Sequence, residues 1–377
     1  MIQVSTTNFV FAGGSEPGLL LAGLAIADEL RAIVPHARFL FAGSGTAEEC
    51  RRICHAGYEY VAFGNPPESR QTRAWRLPWT SWGEPRRLLK RTRPAAVVSL
   101  GGTIGETVGR AAIGLGLPLA VLEQHVTVSR ATQRLATKAR VVCLGFEETR
   151  PQLMASCPVR VTGIPVAGPA RRAADGATSV ADAVDMDLDT ARSGRLVILG
   201  DGGPRRELNA ALPKAIGRLQ QHLPGWRIVH RTHGGEVRSV QRLYRRFGVD
   251  AIATGHIHNL PALLARSELV IAATPPVDVI ELAASATPIV AAIGADSPEC
   301  AQVRTARTLA RSGACVVVDQ PDQELVWAQV LEPLLREHAP RRRLSAAMQR
   351  HLRTDAAWQM ASMIRDLISS PSQSFVA

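Results

Sequence analysis

The chain has 377 residues, 46% of them hydrophobic, which is long for one core and enough for two domains of ordinary size. Its net charge of +11, carried mostly by arginine, points to phosphates, nucleic acid or an anionic membrane surface as partners without choosing among them. No run reaches the roughly 18 apolar residues of a spanning helix, and no basic region precedes an apolar core at the N-terminus, so we expect a soluble or at most peripheral protein.

The first element is a short strand, VSTTNFVFA, followed by FAGGSEPGLLLAGLAIADEL at 11–30, a glycine-rich turn opening an Ala/Leu-rich helix. That arrangement presents backbone N–H groups to an anion, although Glu16 and Pro17 stand where a phosphate cradle would carry more glycine. Strand-like runs follow at ARFLFAG, YEYVAF, AAVVSLG, PLAVLEQ, RVVCLGF and VRVTG, alternating with helical or loop stretches in the rhythm of a parallel sheet. Residues 69–94, SRQTRAWRLPWTSWGEPRRLLKRTRP, interleave Trp75, Trp79 and Trp82 with arginine and lysine. Indoles favour a bilayer interface, and each basic residue near anionic lipid contributes about 1 kcal/mol. Core tryptophans beside a solvated arginine face are the other reading, and Pro78 prevents one continuous amphipathic helix. The rhythm stops across VTGIPVAGPARRAADGATSVADAVDMDLDTARSG and restarts at RLVILG, so the domain boundary belongs there. WRIVHR, DAIATG, LVIAA, TPIVAA and ACVVVD continue the second half, which closes in a helical, Arg-rich tail. The expected division is a lobe at 1–165, a linker at 166–194, a second lobe at 195–350 and a helical tail at 351–377. The expected fold class is α/β, two doubly wound Rossmann-like lobes facing a cleft, with ligands beyond the carboxyl ends of the strands.

Three glycine-rich turns occupy such ends: AGGS after the first strand, SLGGTIGE at 99–106 and ILGDGGPRRELN at 198–209. Each feeds a helix, and their shared capacity is to bind a diphosphate, although glycine also serves simply to reverse a chain. None reads G-x-x-x-x-G-K-[ST], and AGGSEPG is not a dinucleotide fingerprint, so neither a P-loop ATPase nor a nicotinamide enzyme is supported. The six cysteines form no CxxC pair, and we read them as reduced thiols. Cys50 and Cys54, with His55, lie one helical turn apart, a spacing open to a metal but better explained by packing.

The succession AGG…GLAIADEL, RPAAVVSLGG, LPLAVLEQ, VTGIPV, LVILGDGGPRRELN, VIELAASATPIV and RSGACVVVD resembles, nearly end to end, the MurG family of glycosyltransferase family 28. The resemblance implies the GT-B fold and inverting transfer of N-acetylglucosamine from UDP-N-acetylglucosamine to lipid I, an undecaprenyl-diphosphate-linked muramyl peptide, giving lipid II for peptidoglycan. It implies a first lobe for the acceptor, a second for the UDP-sugar, no metal or other cofactor, and peripheral attachment at the cytoplasmic face of the cell membrane through an anionic surface. Nucleic acid is not an expected partner, since the basic residues lack a reading motif. A related GT-B enzyme with another acceptor, and a non-catalytic binding protein, are the alternatives.

Carried over residue by residue, Ile257 and Leu260 in ATGHIHNLPALL correspond to the uracil site, and Glu281 to the carboxylate that bonds the ribose hydroxyls. Gln302 corresponds to one of two adjacent glutamines that hold the sugar, the other place being taken by Ala301. Gly202 and Gly203 would approach the diphosphate, where Arg205 and Arg206 could add charge. Gly13, Gly14, Ser15, Gly101, Gly102, Thr103 and Gln124 fall on the acceptor side. The departures are as informative. The histidine of the family's GGTGGH loop has no counterpart, its H-E-Q-N motif reads LEQH with His125 for asparagine, the arginine of GNPVR is Ala167, and TPPVD replaces S-G-A-x-T. Candidates for the catalytic base are Glu123 and His125, with Glu16 as the alternative, each also explicable as a scaffold residue.

Overall fold

The computed structural model describes residues 7–14, 17–63, 75–77, 83–166, 194–257, 260–274, 282, 287–353 and 355–369. The chain forms two compact units, Met1–Gly168 with Leu352–Ala377, and Pro169–His351.

In the first unit the strands are β1 (Asn8–Ala12), β2 (Arg38–Gly43), β3 (Glu59–Phe63), β4 (Trp75–Leu77), β5 (Ala96–Ser99), β6 (Leu119–Glu123), β7 (Val141–Leu144) and β8 (Val159–Val161). They pair in the order β4-β3-β2-β1-β5-β6-β7-β8, and every pairing is parallel. The central strands are apolar without alternation because helices cover both faces. On one face Phe9 stacks on Phe39 and Phe11 on Phe41, beneath Leu20, Ile26 and Leu30 of α1 (Pro17–Ile33) and Cys50 and Ile53 of α2 (Ala47–His55). On the other, Val10, Val97 and Val121 pack under α3 (Gly83–Thr92), α4 (Gly102–Gly114) and α5 (Arg130–Ala136) through Leu88, Val108 and Leu135. β4, which falls in the tryptophan-rich segment, adds a parallel edge strand that the sequence pattern did not suggest.

The second unit holds β9 (Gly194–Leu199), β10 (Trp226–Arg231), β11 (Ala251–Thr254), β12 (Leu269–Thr274), β13 (Ile289–Ile293) and β14 (Val316–Val318), parallel in the order β11-β10-β9-β12-β13-β14. Its helices are α6 (Arg205–Arg218), α7 (Val237–Arg246), α8 (Leu260–Ala265), α9 (Ala301–Arg311), α10 (Glu324–Arg336) and α11 (His338–His351). The last helix, α12 (Ala356–Ser369), belongs to the first unit, where Met360, Ala361 and Ile364 join the phenylalanine core.

In each sheet the winding direction reverses once, between β1 and β5 in the first and between β9 and β12 in the second. Such switch points open a crevice at the carboxyl ends of the strands. Among the described residues no helix is long and apolar enough to cross a membrane.

Candidate active site

Two of the glycine turns lie at the switch points, and both are so close to the neighbouring strand that a side chain is excluded. Gly13 follows β1 with φ +106° and donates its N–H to Ala42 O at 3.0 Å. A Cβ there would lie 2.3 Å from Gly101 O, the carbonyl at the end of the adjacent β5 segment. Gly202 follows β9, and its Cβ would lie 2.4 Å from Ala273 O on β12. The same device thus brings backbone to backbone across the switch point in each unit. In the first it places Gly13 beside Gly101, with Gly102 and Thr103 exposed at the start of α4.

The next strand end, that of β6, carries LEQH. Glu123 is 3% exposed, and its carboxylate is occupied. Oε2 accepts from Ser129 N at 2.9 Å and from Thr132 Oγ1 at 2.8 Å, while Oε1 accepts from His125 N at 3.3 Å and lies 3.6 Å from His125 Nδ1. Burial pushes its pKa up, but the hydrogen bonds from His125, Ser129 and Thr132 and the nearby imidazole together outweigh it and hold the carboxyl below the usual range. An ionised carboxylate with its lone pairs filled is a weak proton acceptor and a good clamp. It fixes the loop from 124 to the start of α5, where Ser129 caps the helix. His125, 7% exposed beside it, is the group of this pair whose chemistry suits a base. Thr149 Oγ1 donates to His125 O at 3.0 Å and tightens the same loop from the far side. Gln124 is fully buried, and among the described residues neither of its amide atoms has a hydrogen-bond partner. A buried amide in that condition is costly and keeps both a donor and an acceptor for a bound group or water.

In the second unit, Gly202 is buried and Gly203 exposed in the turn that opens α6. Ile257, after β11, and Leu260, at the start of α8, are half-buried, as is Gln302 in the first turn of α9 after β13. These five positions share the carboxyl edge of one sheet. Arg205 forms an ion pair with Glu236, Nε to Oε1 at 3.4 Å, and Arg231 pairs with Asp201 at 3.0 Å. Both arginines are therefore held over the turn rather than free in solvent. Ser15, Glu16, Trp79, Trp82, Ala167 and Glu281, and the side chain of Trp75, lie outside the described residues.

The sequence reading missed two groups. One is Glu49 on α2, 3% exposed, whose Oε2 accepts from Ser44 N (2.9 Å), Ser44 Oγ (2.8 Å), Gly45 N (3.2 Å) and Tyr60 OH (2.9 Å). It organises the loop after β2, the strand beside β1. Thr46-x-x-Glu49 is a capping-box spacing, which was the available signal, although here the glutamate reaches past the cap. The other is a buried polar cluster around Asn209 and His230, under the turn at 200–204. Cys50 Sγ and Cys54 Sγ are 3.9 Å apart, burial pushes the Cys54 thiol up to about 11, and among the described residues no cluster of three metal-binding side chains exists.

No family model matches the chain. It is 28% identical over 362 residues, 94% of this chain and 96% of its relative, to the UDP-N-acetylglucosamine–N-acetylmuramyl-(pentapeptide) pyrophosphoryl-undecaprenol N-acetylglucosamine transferase of Acidithiobacillus ferrooxidans. Among solved structures, MurG of Acinetobacter baumannii aligns with a TM-score of 0.66 at 18% identity, covering 96% of this chain and 99% of that one. A putative UDP-N-acetylglucosamine 2-epimerase of Listeria monocytogenes aligns with a TM-score of 0.69 at 12% identity, covering 99% and 100%. The fold is therefore GT-B, with two Rossmann-like units, and the sequence similarity, running through nearly the whole of both chains, makes this chain MurG-like.

Proposed function

We propose that the chain is an inverting N-acetylglucosaminyltransferase that moves N-acetylglucosamine from UDP-N-acetylglucosamine to a muramyl peptide carried on undecaprenyl diphosphate, forming lipid II for the cell wall. The observation that carries this reading is the similarity to such transferases over 94% of the chain. In this reading the acceptor belongs to the lobe at 1–165 and the UDP-sugar to the lobe at 195–350, with 166–194 as linker and 351–377 as a helical tail. Gly13, Gly14, Ser15, Gly101, Gly102, Thr103 and Gln124 serve the acceptor, the glycine turns by letting its diphosphate approach the backbone closely. Gly202 and Gly203 serve the diphosphate of UDP, Ile257 and Leu260 the uracil, Glu281 the ribose and Gln302 the sugar. An acceptor hydroxyl attacks the anomeric carbon from the face opposite UDP, the bond from that carbon to the diphosphate oxygen breaks, and UDP leaves with the electron pair. His125, oriented by Glu123, takes the hydroxyl proton.

The test is a transfer assay with UDP-N-acetylglucosamine and lipid I. Parent protein should yield lipid II and UDP, and His125→Ala should lower kcat about 10²- to 10⁴-fold while UDP still binds. No product from a parent that binds UDP would move the reading to another acceptor. Consumption of UDP-N-acetylglucosamine without any acceptor would point instead to chemistry on the donor itself.

The same reading places the protein at the cytoplasmic face of the cell membrane, held by residues 69–94. Changing Trp75, Trp79 and Trp82 together to serine should release it from anionic vesicles in a co-sedimentation assay, and undiminished binding would remove the segment from that role.

A further inference from the structure

Under the glycine turn of the second unit lies a chain of buried polar groups that runs from α7 through β10 to the start of α6. His230, on β10, is fully buried. Its Nδ1 lies 2.9 Å from Tyr244 OH and its Nε2 2.9 Å from Asn209 Oδ1. Asn209 Oδ1 can only accept, so Nε2 carries the proton, and Nδ1 is left to accept from the tyrosine hydroxyl. The other side of the amide, Nδ2, donates to Gly200 O at 3.0 Å and reaches Thr232 Oγ1 at 2.7 Å and Glu236 Oε2 at 2.8 Å. Glu236 in turn pairs with Arg205, the first residue of α6. The links from Tyr244 through His230 to Asn209 have a defined direction, and the turn backbone lies among the acceptors at their end.

The turn also fits against this relay with no space to spare. A Cβ at Gly200 would lie 2.3 Å from Asn209 Oδ1 and 2.5 Å from His230 Nε2, and one at Gly202 would meet Ala273 O on the opposite side. Gly200 N donates to Arg231 O at 2.7 Å. The turn is thus held from β10, from β12 and from α6, and among the described residues Asn209 is the side chain that bonds both its backbone and the carboxylate that holds Arg205.

We propose that Asn209 is a positioning residue for nucleoside-diphosphate binding. Through Gly200 O and Glu236 it sets the shape of the turn at 200–204 and the place of Arg205, and it does not touch the nucleotide. This rests on the reading of that turn as the site of the UDP diphosphate. It goes beyond that reading in making affinity depend on an interior amide. The charged and titratable groups that face Asn209 are His230 on β10, Glu236 ahead of α7 and, through Glu236, Arg205 on α6. Tyr244 on α7 and Thr232 after β10 complete its surroundings.

The geometry gives Asn209→Asp a diagnostic behaviour. One carboxyl oxygen still accepts from His230, but the other replaces an NH₂ that faces Gly200 O and Glu236 Oε2, both acceptors. The variant can rebuild the relay only with a proton between the two carboxyl groups, which low pH supplies and high pH removes. UDP binding to the full chain is measured by titration calorimetry at pH 5.5 and 8, always as the ratio of variant to parent, because UDP itself titrates in this range. Asn209→Ala should bind UDP about tenfold more weakly than parent at both pH values. Asn209→Asp should approach the parent at pH 5.5 and fall about tenfold behind it at pH 8. A residue that mattered only for folding would lower the unfolding midpoint of both variants and leave both affinity ratios near one at either pH. Parent-like UDP affinity in folded Asn209→Ala, or a ratio for Asn209→Asp that ignores pH, overturns the proposal while leaving the donor site in place. A parent that does not bind UDP overturns the donor-site reading, and the proposal with it.

Discussion

His230 shows what a single buried side chain imposes on the molecule. Burial lowers its pKa to about 3, against about 6.5 for an ordinary imidazole, so the folded protein keeps it neutral. The unfolded chain binds this proton more readily than the folded one. The stability it contributes is therefore complete above about pH 6.5 and is lost as pH falls from there toward 3, at up to about 1.4 kcal/mol for each pH unit. In urea unfolding between pH 6.5 and 4, His230→Gln should show a shallower loss of stability with acidity than the parent. Equal slopes would mean that the imidazole is not held neutral. Glu123 shares that dependence on pH for a different reason, since its pKa is also lowered but by hydrogen bonds that favour the ionised form, and the two residues illustrate why neither environment was readable from residue type. LEQH announced an acid and a histidine at a strand end. It did not announce that Ser129 and Thr132, six and nine residues later, would bond the carboxylate and turn it into a clamp for the loop.

At the scale of elements the sequence was most legible where physics leaves least choice. Strands buried on both faces must be continuous and apolar, so NFVFA, AAVVSLG, PLAVLEQ, LVILG and TPIVAA appear as strands where the pattern places them. β4 was not legible because three residues, Trp-Arg-Leu, carry no period of their own and become a strand only by pairing with β3. The glycine turns were legible as turns, but glycine content does not say which glycine is indispensable. That follows from the approach of a neighbouring carbonyl, Gly101 O to Gly13 and Ala273 O to Gly202, which depends on strand order. The relay under the second turn was hidden for the same reason. Asn209 and Tyr244 lie on α6 and α7, His230 lies on β10 between them, and they meet only when both helices pack on β9 and β10. Edge strand β11 shows another such device, where Gln241 donates to Ala251 O at 2.8 Å and accepts from Ala253 N at 2.9 Å. A side-chain amide there occupies backbone groups that would otherwise template a further strand.

At the scale of the whole molecule, the chain leaves the first unit at residue 168, builds the second, and returns at residue 352. The tail pattern predicted a helix, and nothing in it named the core that the helix completes. α12 packs along α1 and buries Met360, Ala361 and Ile364 against the sheet that carries Phe9, Phe11 and Leu30. Truncating one buried methionine or isoleucine to alanine typically costs about 2 to 5 kcal/mol, and whole-domain stability is about 5 to 15 kcal/mol. Removing the entire helix therefore takes away a share of the first unit's stability comparable to the total. The second unit keeps its own sheet and its own core, built on Trp327, Tyr244 and Leu331, and loses no residue. A chain ending at His351 should thus show, in calorimetry, a first-unit transition shifted to much lower temperature or absent, beside a second transition close to its parent position. The same protein should still bind UDP with affinity near the parent's while transferring no sugar. An unshifted first-unit transition would show that α12 lies on the unit without supporting it, and loss of UDP binding together with transfer would show that the second unit depends on the first.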